Sequence, residues 1–303
     1  MSEQIRVDEF LSSLLSMCAP LEAFELPLLD AHGATLAEDI YAGERLVMRK
    51  GTRIRSTHIG LAASIGRGHL PTLPHPRVVI LSAGPDLVEP GENLAGSEEY
   101  ETNSWLLTTA VREAGAIGYR VHSIPDNEEE LKSLIEDQLV RADLVVVSGE
   151  RGDDSFDLIT RTLSTLGEIT TVDMAIEHSG RHNFGKIGPD GTPVVTLPGD
   201  PISAYISFEL FVRPMIRTML GSENIHRPSV KAKLEKPIAS NLGVRSYLRA
   251  FLSEDGKSVR AIPDQEEMST LADSNALIAV PEDATKLSAG DQVAVVVLRR
   301  RYF

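Results

Sequence analysis

Three short stretches of the chain carry residues suited to binding chemistry: Ser82-Ala83-Gly84-Pro85-Asp86, Ser148-Gly149-Glu150 and Pro198-Gly199-Asp200-Pro201. Each follows an apolar, largely β-branched run, and each offers serine or glycine where a ligand would meet backbone. In the third, Pro198-Gly199 signals a turn and Asp200 is a good helix N-cap. Pro201 then takes the first helical position, where its missing N–H costs nothing, and Ser203 lies in the first turn. A strand, a turn and a helix start in this order aim free backbone N–H groups and a helix dipole at one point, which suits a phosphate. The same pattern also makes a plain capped helix, so the turn alone assigns no ligand.

The elements that must position these stretches are legible from Pro76 onward. Arg77–Ser82, Tyr119–Ile124, Asp143–Gly149 and Val194–Leu197 read as strands. Helices are predicted after Thr102-Asn103-Ser104, after Asn127, from Asp157 to near Gly167, and over 201–219. Strands alternating with helices predict a parallel sheet with helices on both faces, and non-alternating apolar strands agree. In such a sheet ligands bind beyond the C-terminal strand ends, so the three stretches outline one crevice. Before Pro76, helices are expected over 7–18 and from a Thr57 cap to Gly66, with Lys50–Ile54 as a hairpin piece. After the linker Gly221–Arg227, short strands at 230–234, 246–252, 276–280 and 292–298 predict a small β-rich domain. The expected domains are therefore 1–75, 76–222 and 223–303.

Composition narrows the partners. The 303-residue chain is long enough for two or three domains, and its net charge of −14 argues against nucleic acid, no Lys/Arg cluster standing out. Arg299-Arg300-Arg301 reads as a short basic stretch entering solvent. Nothing approaches a membrane span, the N-terminal stretch lacks the apolar core of a secretory signal, and a lone Cys18, placed on a buried helix position, fits a reducing cytoplasm. His122, His178 and His182 read as solvated loop histidines rather than metal ligands, Glu128-Glu129-Glu130 as a favourable acidic helix start, and Trp105 as core.

The succession Ile80-Leu81-Ser82-Ala83-Gly84, Tyr100-Glu101-Thr102-Asn103, Val147-Ser148-Gly149 with Asp157, and Leu197–Ala204 resembles the MoeA and gephyrin C-terminal-region family of molybdopterin molybdenumtransferases. The resemblance takes in nearly the whole chain, including Pro27–Gly33, Arg245–Arg249 and Ser274–Pro281. It implies a three-layer α/β molybdopterin-binding domain of the MoaB/Mog type, a mixed N-terminal region and a small C-terminal β-barrel. It implies molybdopterin, or its adenylylated form, as the bound molecule, Mg²⁺ as an assisting ion, and a homodimer. Carried over by motif, Glu101, Asp154 and Asp157 take the catalytic positions. Ser82, Gly84, Asn103, Ser148, Gly149, Arg181, Pro198, Gly199, Asp200 and Ser203 take the binding positions, and no metal-ligand set is assigned.

Departures from the family pattern concentrate in the same crevice. The inserted second domain, expected between the Ala37–Ala42 and Lys50–Ile54 segments, is missing. Glu150 stands for a glycine, Ser155 for an acidic residue beside Asp154, and Glu101 for an aspartate. Glu177-His178-Ser179-Gly180-Arg181 replaces a lysine-rich loop, Asp200 an asparagine, and Ala83 and Pro85 lose a hydroxyl and a carboxylate. Most of these changes turn the crevice away from an anion, at about 1–3 kcal/mol per lost charged hydrogen bond. Two roles follow as expectations: a molybdenum-cofactor protein that binds molybdopterin for molybdate insertion, or a non-catalytic dimeric scaffold that presents a surface to a protein partner.

Overall fold

The structure is a computed structural model that describes residues 4–82, 84, 87–96, 98–121, 127–149, 153–177, 179–263 and 268–299, with backbone only at 153 and 154. Its N-terminal stretch begins with β1 (Gln4–Ile5) and α1 (Val7–Ser16), both of which join the central domain. β1 pairs in parallel with residues 173–174, while Phe10 and Leu14 of α1 enter the main core. Helix α1 stops two residues short of the expected Cys18, which sits half-buried beyond the C-cap. Burial pushes its thiol up to about 12, so it is inert at neutral pH.

The next segment forms a small body with its own core of Ala31, Leu36, Ile40, Met48, Ile54, Ala62 and Leu70. It contains β2 (Phe24–Pro27), β3 (Thr35–Leu36), β4 (Ile40–Ala42), β5 (Arg45–Met48), α2 (Ser56–Ser64) and β6 (His69–Leu73). The hairpin here is β4–β5, turning at Gly43 with φ +61°, where a side chain would be strained. It directly joins the two segments between which the family resemblance places a second domain. Lys50–Ile54, expected as a hairpin piece, makes only an isolated bridge from Arg53 to Thr35. Arg55, not Thr57, caps α2, its backbone N–H donating to His58 Nδ1 at 3.0 Å.

The central domain runs β7 (Arg77–Ser82), β8 (Leu87–Val88), β9 (Glu99–Tyr100), α3 (Asn103–Ala114), β10 (Ile117–Val121), α4 (Glu128–Leu139), β11 (Leu144–Ser148), α5 (Asp153–Leu166), β12 (Gly167–Met174), β13 (Arg181–Ile187) and β14 (Thr192–Leu197). The sheet order is β1-β12-β13-β14-β11-β7-β10. β14, β11, β7 and β10 are parallel, as the apolar runs require. β13 is antiparallel to both neighbours, so the sheet is mixed rather than wholly parallel. It occupies residues read from sequence as part of a histidine-rich loop, because Arg181-His182-Asn183 has little strand propensity. Close approach is allowed by Gly167 and Gly185: a Cβ on either would lie about 2.0 or 1.9 Å from a carbonyl oxygen of the other strand. Helix α5 begins at Asp153, four residues before the expected Asp157.

Alternate residues of the inner strands feed two cores. Val78, Ile80, Val146 and Val195 face α1, α3 and the last helix, whereas Val79, Leu81, Val145 and Val194 face α4 and α5. That last helix follows β14 without a break: α6 (Pro201–Ser207), a π turn (Phe208–Val212) and α7 (Arg213–Met219). Pro214 has no N–H for the carbonyl four residues back, and the π turn lies where the ladder must adjust.

The C-terminal domain contains β15 (Ser229–Leu234), β16 (Ile238–Ala239), β17 (Ser246–Leu252), β18 (Ser258–Ala261), α8 (Met268–Asp273), β19 (Ala276–Val280), β20 (Lys286–Leu287) and β21 (Gln292–Val297). β15-β18-β17-β19-β21 close into a barrel around Leu234, Ala250, Val259, Ile278, Val280 and Val295. Arg245 fastens the barrel to the central domain. Its guanidinium donates to both carboxylate oxygens of Asp8 at 3.0 and 3.1 Å, and its backbone exchanges hydrogen bonds with residues 175 and 177.

Candidate functional site

At the C-terminal ends of β11 and β14, the chain ties its loops together through one side chain. Asn103 opens α3 and is buried. Its Nδ2 donates to Ser148 Oγ and to the Gly199 carbonyl, both at 2.7 Å. Ser148, fully buried at the end of β11, donates a hydrogen bond from its hydroxyl to the Pro198 carbonyl at 3.1 Å. Ser82, also buried, lies in register with Ser148 on the neighbouring strand. Gly149 continues beside them, its N–H 3.4 Å from the Leu197 carbonyl. Within this knot, Asn103 Oδ1 is buried and accepts no hydrogen bond among the described residues.

The flanking carboxylates are already engaged. Glu101 is buried and accepts from both the backbone N–H and the hydroxyl of Ser104, the former at 2.7 Å, so it acts as an anionic cap on α3. Asp200 accepts from the Ser203 N–H at 2.8 Å and occupies the α6 N-terminus, as its residue type predicts. Asp157 and Arg181, assigned separate roles from sequence, lie 3.6 Å apart as an ion pair, with the Arg181 guanidinium 4.4 Å over the Phe156 ring. Of the other expected positions, Gly84 is half-buried after β7. Ala83, Pro85, Asp86, His122, Glu150, His178, Arg300, Arg301 and the Asp154 side chain lie outside the described residues.

A cavity of about 520 Å³ lies between the central domain and the barrel; Asp200, next to the knot in sequence, reaches it, whereas Asn103, Ser148, Pro198 and Gly199 do not line it. Asp200, Ser203, Glu177 and Ser179 line one side, and Tyr247 and Arg249 of β17 the other, over a floor of isoleucines. Arg249 is buried and donates to the Thr270 hydroxyl; Glu177 accepts from Asn241 Nδ2 at 2.7 Å. The sequence assigns no site residue to the barrel. Its available signal is a buried-type strand, Ser246–Leu252, interrupted by a cation.

Two further expectations are corrected. His182 is not a solvated loop residue: it is fully buried on β13 and packs against Phe10, ring centroids 5.5 Å apart. Its Nδ1–H donates to the Thr196 carbonyl at 2.8 Å, which leaves Nε2 to accept from the Ser179 hydroxyl at 2.7 Å. Burial holds it at about 4, neutral at physiological pH. Trp105 is half-exposed rather than core, because it faces outward from α3 under the guanidinium of Arg120 at 4.2 Å.

The described residues gather no Mg²⁺ site, and the Asp154 side chain lies outside them. Among the described residues no three acidic, histidine or cysteine groups converge. Glu101 is engaged at the start of its helix, whereas Asp157 is exposed and meets Arg181 through one oxygen at 3.6 Å.

Comparison with known proteins places this geometry. Residues 80–218 match the family described as "Probable molybdopterin binding domain", and residues 231–298 the "MoeA C-terminal region (domain IV)". A relative from Mycobacterium tuberculosis, "Molybdopterin molybdenumtransferase 1", is 34% identical over 270 residues, which are 86% of this chain and 63% of that protein. A second, from Haemophilus influenzae, "Molybdopterin molybdenumtransferase", is 26% identical over 277 residues, 89% of this chain and 68% of that protein. The chain thus spans slightly under two thirds of the mycobacterial relative's length. Among solved structures, the MoeA protein of Pyrococcus horikoshii superposes with a TM-score of 0.84 at 21% identity, over 98% of this chain and 100% of that one, which shows the shared fold. A molybdenum cofactor biosynthesis protein of Pyrococcus furiosus gives 0.76 at 25% identity over 97% of this chain and 100% of that one. The chain belongs to the MoeA family.

Proposed function

We propose that the protein acts in molybdenum cofactor biosynthesis by holding molybdopterin, or its adenylylated form, in the crevice and the adjoining cavity. The observation that supports this most is the Asn103 knot, which ties two strand ends to the start of α3 beside a buried acceptor that has no donor among the described residues. A pterin ring carries N–H donors, and the isoleucine floor suits its flat faces. Arg249 supplies the cation for a phosphate, and the backbone at Gly149 and Gly199 allows close approach. The unit that binds is a homodimer in the cytoplasm.

The same lining supports a second reading of the chemistry. Glu177 and Asp200 face the cavity, and Arg181 is neutralised by Asp157, so little positive charge remains for molybdate or for a leaving AMP. In this reading the dimer keeps the ligand site weakly, or uses the scaffold to present a surface to a protein partner.

Calorimetric titration with molybdopterin and with its adenylylated form, each with and without Mg²⁺, decides between them. Saturable binding lost in Asn103→Ala supports the cofactor reading. Release of AMP on adding molybdate and Mg²⁺ shows a complete insertase. Absence of heat at high micromolar ligand leaves the scaffold.

A further inference from the structure

One buried carboxylate in the last helix lies beside two arginines and is hydrogen-bonded by only one of them. Glu209 stands in the π turn, just past Ser207 of the cavity lining, and its side chain is 1% exposed. Arg227, the last residue of the linker to the barrel, donates from Nε to Oε2 and from Nη2 to Oε1, both at 2.7 Å. The same Nη2 lies 3.8 Å from Glu113 of α3, whose carboxylate is mostly in water and so adds little. Arg213 follows Glu209 by four residues on the same helix, and its Nε lies 3.8 Å from the very Oε2 that Arg227 holds. Its side chain is 14% exposed, and its Nε and Nη1 are buried without a hydrogen-bond partner among the described residues.

Taking one partner from a buried ion pair is ordinarily costly, because the other charge stays behind unpaired. Here a substitute is already in place. If the linker lifts, Arg227 passes into water, and Arg213 has only to close from 3.8 Å to about 2.8 Å, the length of a charge-assisted hydrogen bond, to take the vacated oxygen. Arg213 gives up no hydrogen bond at Nε or Nη1 in doing so. With the linker down, Arg213 lacks an acceptor; with it lifted, Arg213 gains one and Arg227 is hydrated. Glu209 is paired in both arrangements, as a two-state element requires. We propose that Glu209 is a latch shared by Arg227 and Arg213, through which the linker of the barrel releases from the central domain and returns to it. Elsewhere the barrel stays fastened by Arg245 to Asp8 and to the backbone of residues 175 and 177. Release of the linker therefore lets the barrel rock about that fastening. The cavity lies between the two bodies, with Ile206 and Ser207 of the latch helix on one wall and Tyr247 and Arg249 of the barrel on the other, so rocking widens it. The latch does not depend on which ligand the cavity takes.

The test is hydrogen exchange of the 221–227 segment in the full chain, read by mass spectrometry beside thermal unfolding. Arg227→Met should speed exchange there about tenfold, with only a small fall in Tm because Arg213 takes over the carboxylate. Arg213→Met should slow the same exchange, since the competitor for Glu209 is gone. The double variant strands the buried carboxylate and should lower Tm by more than the two single losses together. In a Glu209→Gln background the charge both arginines compete for is absent, and adding Arg213→Met should no longer change the exchange. Losses of Tm that simply add would overturn the latch, as would exchange that Arg213→Met leaves unchanged or speeds up. If the double variant does not fold, the exchange of the single variants decides alone.

Discussion

Asn103 and Ser148, 45 residues apart in sequence, are joined by a 2.7 Å hydrogen bond that locks the start of α3 to the end of β11. The same amide holds the Gly199 carbonyl, so one side chain sets the spacing of two strand-end loops and a helix. Asn103→Ala would leave Ser148 Oγ without its donor and the Gly199 carbonyl without a partner from this side chain. The expected cost is about 1–3 kcal/mol per buried group left unpaired. Urea unfolding checks it, and Asn103→Asp should fail to rescue, because a carboxylate cannot donate.

Asp200 separates fold from ligand. Asp200→Ala removes the cap on α6 and should cost about 1 kcal/mol. Asp200→Asn keeps an acceptor for the Ser203 N–H and deletes the charge, so stability should hold while affinity for a phosphate-bearing ligand rises. Parallel denaturation and calorimetry of the two variants read both effects. A loss of affinity in Asp200→Asn would show that the carboxylate itself contacts the ligand.

His182 predicts a pH dependence. Its folded value, about 4, lies below the ordinary 6.5, so between these limits the unfolded chain binds the extra proton. Stability from this group is complete above pH 6.5 and falls as pH drops towards 4, by about 3 kcal/mol in all. In His182→Gln the slope of unfolding free energy over that window should flatten relative to the unmodified chain. An unchanged slope would mean that the buried ring does not titrate in this range.

Arg245 predicts a mechanical effect. Its contacts with Asp8, and with Glu282 at 2.9 Å, bridge α1 and the barrel. Arg245 in turn holds the Asp8 carboxyl below the usual range. That contribution is present above the ordinary carboxylate pKa and is lost as pH falls through the lowered one. Asp8 is exposed, so Asp8→Asn alone should change stability by less than about 1 kcal/mol. Arg245→Met also strips Glu282 and should loosen the barrel, seen as faster proteolysis in the 221–227 linker.

The legible parts of this fold were those governed by local chemistry. Val78–Leu81, Leu144–Val147 and Val194–Leu197 announce buried parallel strands because both faces are apolar. Asn127 and Asp200 announce helix starts, and both cap through their side chains. What escaped depends on partners distant in sequence. β13 is a strand because Gly167 and Gly185 let its neighbour close in, against the preference of Arg181-His182-Asn183. The pairing of Arg181 with Asp157, the seat of His182 on Phe10 and the entry of Arg249 into the cavity likewise arise only once the chain is folded.

The most direct test of the central claim is calorimetric titration of the full chain with molybdopterin, alongside Asn103→Ala and Arg249→Gln. Saturable binding at one site per chain, weakened at least tenfold in each variant, is the result this geometry predicts. Absence of binding by the unmodified chain, or binding that both variants retain undiminished, would contradict it.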